Sequence, residues 1–167
     1  FRVMVSPHPE PARKPPLIPV ELWPMCLAYL KAAAVLRHLP PRDRASLILA
    51  ADTIVVIDDP RGPLILNKPR HRAHARQMLS TLSGKIHRVI TGICLLSAAG
   101  HRLSSDQARC RLRKLSPARL EAYLDGGLWK GKAGAYGIQD NADPFVTLLD
   151  GDITTVVGLP MKMLQRE

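Results

Sequence analysis

The sequence predicts an α/β domain with a mixed β-sheet and helices around it. Three observations carry that expectation. Leu22, Met25, Cys26, Tyr29, Leu30 and Ala33 fall at helical spacing and make an apolar stripe. A nearly continuous apolar run from Leu47 to Ile57 reads as a buried strand. Two more strand-like runs, Ile86 to Leu96 and Leu103 to Leu112, flank the short link Ala98-Ala99-Gly100 as in a hairpin. Helices mixed with hairpin-like pairs argue against a regular doubly wound sheet.

In chain order, Phe1 to Val5 reads as a short strand. Pro7, Pro9, Pro11, Pro15, Pro16 and Pro19 then impose an extended loop. The first helix is expected from about Glu21 to Arg37, with Pro24 in its opening turn and Pro40-Pro41 ending it. The buried strand follows, then a turn at Asp58-Asp59-Pro60-Arg61-Gly62 and a short strand at Leu64 to Leu66. Arg70 to Leu82 predicts a helix with Ala75, Met78, Leu79 and Leu82 inward. Ser116-Pro117 is a helix start, with Ser116 as N-cap, and Gly126-Gly127 a stop. Strands are expected at Phe145 to Leu149 and Ile153 to Val157, and a short helix from about Leu159.

A chain of 167 residues suits one domain with a sizeable core. Aromatics make up only 4%, so that core must rest on Leu, Ile, Val and Ala. With 46% hydrophobic and 23% charged residues the chain is not of the disordered class. No apolar run is long enough to span a bilayer, and no signal peptide is visible. Cys26, Cys94 and Cys110 fit no zinc or redox spacing, so free thiols and a cytoplasmic setting are expected. The formal charge of +10 raises the question of nucleic acid. The cations are dispersed, however, with little aromatic interleaving for base stacking. A basic surface that attracts anionic nucleotides is the preferred reading, and nucleic acid the less favoured partner.

The most informative stretch is Gly131 to Gln139, G-K-A-G-A-Y-G-I-Q. Its glycines allow positive φ or close approach to a ligand. Lys132 offers a point charge for phosphate, and Gln139 a donor and an acceptor for a base or sugar. A plain glycine-rich turn is the alternative. Asp52, inside an apolar run, is a costly residue to bury without a partner or metal. Lys68 stands in Asn67-Lys68-Pro69 at a strand end, where open α/β sheets keep their ligands.

Five motifs together resemble the Maf family of nucleoside triphosphate pyrophosphatases, also described as septum-formation inhibitors. They are A-D-T-I-V-V from Ala51, L-N-K-P from Leu66, Leu82-Ser83-Gly84 to His87 with Thr91-Gly92, K-A-G-A-Y-G-I-Q from Lys132, and V-V-G-L-P from Val156. The resemblance runs from Phe1 to Pro160, and A-D-T with Y-G-I-Q looks like the branch acting on dTTP and UTP. It implies a single domain with an elongated sheet, helices around it and a cleft between two lobes. Family members also open with a strand and an S-x-S-P-R-R turn. No such turn occurs here, so the expectation is a chain that begins after the first strand and helix.

The resemblance also implies roles. Asp52 would be the catalytic base, or a metal ligand that activates water; a carboxylate capping backbone amides is the plain alternative. Glu10 would be the second carboxylate at a Mg²⁺ or Mn²⁺ ion, or else an exposed loop glutamate. Lys31 matches a family lysine and, with Lys68, would contact phosphate. Thr53 adds a hydroxyl beside Asp52. The six histidines suggest no metal site, and Ser83 has no visible catalytic partners. Two residues depart from the family pattern: Leu128, where glutamate is frequent, and Asp140, where glycine is common. The expected activity is metal-dependent hydrolysis of a pyrimidine or non-canonical nucleoside triphosphate to monophosphate and pyrophosphate. The alternative is a nucleotide- or nucleic-acid-binding regulator that has lost catalysis. Whether the chain forms a homodimer is left open.

Overall fold

A computed structural model describes residues 1–9, 11, 13–140 and 145–167. Its elements run α1 (Trp23–His38), β1 (Ile48–Ile57), β2 (Leu64–Leu66), α2 (Arg72–Leu82), β3 (Ile86–Ser97), β4 (Gly100–Leu112), α3 (Pro117–Asp125), β5 (Val146–Asp150), α4 (Ile153–Val157) and α5 (Met161–Leu164). The five strands form one sheet in the order β2-β1-β3-β4-β5. β1 and β2 pair antiparallel, with Val55 opposite Leu66 and Ile57 opposite Leu64. β4 and β5 also pair antiparallel, with an irregularity between Arg109 and Cys110. The α/β class read from the sequence is the class observed. Two compact units divide the chain: Phe1–Asp52 with Thr91–Asp106, and Thr53–Ile90 with Gln107–Glu167.

In the first unit, α1 begins with Pro24 in its first turn and ends at extended Leu39, just before Pro40. Its inner face is made of small residues. Ala28 and Ala32 are fully buried against Cys94 and Leu96 of β3, with Leu36, Ile48 and Ala50 around them. Gly92 shows how close the helix lies to the strand. A Cβ there would come within 2.7 Å of the Met25 Cα, so only glycine fits without backbone movement.

The second unit has the larger core, where Val55, Leu66, Leu79, Leu82, Val89 and Leu112 pack together. The His71 ring caps α2 by accepting from the His74 amide at 3.2 Å, and Ser116 caps α3 by accepting from the Arg119 amide at 3.3 Å. Arg72 joins the two helices through Glu121 at 2.8 Å and Asp125 at 2.5 Å. These groups are well exposed, so solvent screens the pairs and they add little to stability.

Two expected strands are not strands. Residues Phe1 to Val5 form no regular element, and Phe1, Val3 and Val5 are exposed. Ile153–Val157 is helix α4. Its β-branched run favours a strand, but its flanks decide otherwise. The Asp152 carboxylate accepts from the Thr154 amide at 2.8 Å and caps the start. Gly158, at φ +112, closes the end.

Candidate functional site

In the first unit, the sheet places Asp52 on β1 with only 7% of its surface exposed. Among the described residues it is the one carboxylate in the buried class. Burial of such a group demands a partner. Lys31, on α1, provides one: its ammonium donates to Asp52 Oδ1 in a pair that is 18% and 7% exposed. Ser6 Oγ donates to the Lys31 carbonyl at 3.3 Å and ties the opening segment to the same turn of α1. A cavity of about 820 Å³ opens beside Lys31, lined by Ser6, Lys31, Val35, Ile48 and Ala51 among others, and Asp52 itself is not part of that lining.

In the second unit, three of the quoted motifs come together around the glycine-rich loop. The Gly134 amide donates to the Asn67 carbonyl at 3.2 Å, fastening the loop to the segment that carries Lys68. Gly134 has φ +67, and a Cβ there would lie 2.9 Å from Val55 Cγ2, so β1 forms the floor of the loop. Ala135 follows at φ +65, a strained conformation for a residue with a side chain. Gly158 lies against Thr53, whose Oγ1 would be 3.2 Å from a side chain built at that glycine. Thr53 of the one motif and Gly158 of the other are therefore close neighbours.

Tyr136 is 4% exposed and anchors the loop from below. Its hydroxyl lies 2.6 Å from His87 Nε2, and the two rings meet edge to face. Burial pushes His87 down to about 4, opposed weakly by the Lys85 backbone, so the imidazole is neutral at physiological pH. Burial likewise pushes the Cys110 thiol up to about 11 and the Tyr136 hydroxyl well above its ordinary value. These groups stay uncharged and serve packing.

The six expected site residues within the described chain are placed as follows. Lys31 and Asp52 form the buried pair. Thr53 is half-buried directly after Asp52, and Lys68 is exposed just past β2. Lys132 is ion-paired with Asp140, and Gln139 is exposed at the tip of a turn. Glu10 lies outside the described residues. For a divalent cation, Asp52 offers a hard carboxylate oxygen, and no group of three His, Cys, Asp or Glu comes together among the described residues. Mg²⁺ and Mn²⁺ bind through one or two carboxylates and take their remaining ligands from water and phosphate, so Asp52 is the described site residue that would hold such an ion.

Sequence reasoning gave no role to Tyr136 or His87, and read Asp140 as a departure from the family pattern without its partners. A buried-looking tyrosine inside a glycine-rich motif was a signal for the first. The partners of the other two stand 49 and 8 residues away in sequence, and no local pattern announces them.

The family model for Maf-like proteins matches residues 1–167. A dTTP/UTP pyrophosphatase of Pyrococcus abyssi is 43% identical over 138 residues, covering 83% of this chain and 70% of that protein. Its counterpart in Pyrococcus horikoshii is 41% identical with the same coverage. One from Chelativorans sp. is 44% identical over 140 residues, covering 81% of this chain and 64% of the relative. By its match from end to end and by these relatives, the chain belongs to the Maf family.

Proposed function

We propose that this chain is a nucleoside triphosphate pyrophosphatase acting on dTTP, UTP and related non-canonical nucleotides. Water attacks the α-phosphorus, the bond to the α–β bridging oxygen breaks, and pyrophosphate leaves with the electron pair. The observation that carries this proposal is the buried Asp52–Lys31 pair, in a chain with relatives named dTTP/UTP pyrophosphatase. Asp52 receives the proton of the attacking water. Lys31 places positive charge between that carboxylate and the phosphates, offsetting the repulsion of two anions. Lys68 and Lys132 add charge along the triphosphate, Thr53 a hydroxyl, and Gln139 a contact to the base. Mg²⁺ or Mn²⁺, held by Asp52 and Glu10, would neutralise phosphate charge and acidify a bound water.

Among the described residues no helix is long and apolar enough to cross a membrane. The free thiols of Cys26, Cys94 and Cys110 support a cytoplasmic setting for the activity.

The test is product analysis over a panel of nucleoside triphosphates with Mg²⁺ or Mn²⁺. Monophosphate and pyrophosphate in equal amounts, with dTTP and UTP preferred, are expected. Release of orthophosphate would contradict the cleavage site. Tight nucleotide binding with no product would favour the regulator instead.

A further inference from the structure

Asp140, a departure from the family pattern, ties together three parts of the second unit. Its carboxylate is 10% exposed and accepts from three sources. Lys132 Nζ donates to Oδ1, while the Tyr123 hydroxyl at 2.8 Å and the Gly137 amide at 3.1 Å donate to Oδ2. The Asp140 amide in turn donates to the Gly137 carbonyl at 3.2 Å. Backbone and side chain of one residue thus close a turn whose two central residues are Ile138 and Gln139. Ile138 packs against the core and Gln139 faces outward. A Cβ at Gly137 would stand 2.8 Å from Lys132 Nζ and 2.9 Å from Asp140 Oδ1, so a side chain there would push the ends of these two side chains aside.

We infer that Asp140 is a positioning residue for base selection, holding the Gly137–Asp140 turn so that Gln139 presents its amide in one orientation. The inference rests on the function proposed above. Uracil and thymine offer an N–H beside a carbonyl, which a fixed amide matches with one acceptor and one donor. Cytosine offers a ring acceptor beside an amino group, the reverse pattern. A locked Gln139 separates the two, because the wrong base leaves polar groups unpaired. A loose Gln139 rotates its amide and accepts both. Tyr123 braces the carboxylate from α3 and is itself held by Phe145, with ring centroids 4.8 Å apart.

The experiment measures kcat and KM for UTP and CTP in the wild type, Asp140→Ala and Tyr123→Phe, with thermal melting of each. For Asp140→Ala the expected result is a KM for UTP raised about tenfold, kcat within about threefold, and a UTP-over-CTP preference reduced about tenfold. Tyr123→Phe, which keeps the ring packing, should shift the same preference in the same direction by a smaller factor. A wild-type preference retained in both variants overturns the inference, whatever happens to melting temperature. A proportional loss of kcat on both nucleotides also overturns it, since that marks a purely structural role. A wild type that releases no pyrophosphate from any nucleotide removes the proposed function itself. Active wild type with unaltered variants removes only the role of Asp140.

Discussion

Acid will destabilise this protein through His87. The imidazole is 1% exposed in β3, and burial holds its pKa at about 4 against an ordinary 6.5. The unfolded chain therefore takes up a proton near pH 6.5 that the native state refuses until about pH 4. The stability carried by neutral His87 is complete above pH 6.5, is lost as pH falls from there toward 4, and changes no further below. Worked from those two values, the loss is about 2 kcal/mol at about pH 5 and about 3 kcal/mol once both are passed. Carboxylates begin to titrate in the same window, so the assay is a comparison. Urea unfolding of the wild type and of His87→Gln is measured at about pH 7.5 and about pH 5. Glutamine can still bond the Tyr136 hydroxyl but has no titrating group. The wild type should lose about 2 kcal/mol more than the variant across that interval. Equal losses in the two proteins would refute the reasoning.

Two more substitutions probe the packing and the ion pair. Gly92→Ala pushes a methyl into the backbone of Met25 and should destabilise by about 1–3 kcal/mol, the usual cost of overpacking, read as a lowered midpoint in urea. Lys31→Met removes the ammonium that faces the buried Asp52 carboxylate and should destabilise by up to about 3–5 kcal/mol, whereas Lys31→Met with Asp52→Asn should recover about 1–3 kcal/mol of that loss in a double-mutant cycle.

Much of the architecture was legible wherever local chemistry and tertiary packing agree. Pro24, Ser116-Pro117 and the apolar runs of β1, β3 and β4 each specify their own element. Ile153–Val157 was misread because five β-branched residues outweigh two flanking ones in a pattern count. In the folded chain the flanks win, since a capped first turn satisfies backbone amides that no side-chain preference can satisfy. Phe1 to Val5 is apolar enough for a strand but forms none in the described structure. At the candidate site, Asp52 was legible because a carboxylate in an apolar run is conspicuous. Its pairing with Lys31 was not, since 21 residues separate them and a lysine on a helix face looks solvated. Asp140 read as a local exception, and its grip on Lys132, Tyr123 and Gly137 emerges only when α3 and the loop are folded together.

The buried carboxylate can be tested directly by single-turnover pyrophosphate release from dTTP or UTP, comparing the wild type with Asp52→Asn. The substitution keeps the size and one acceptor of the side chain, so far-ultraviolet circular dichroism should be unchanged. Turnover should fall by at least about 100-fold. A folded Asp52→Asn protein that turns over at the wild-type rate would contradict the role given to this residue.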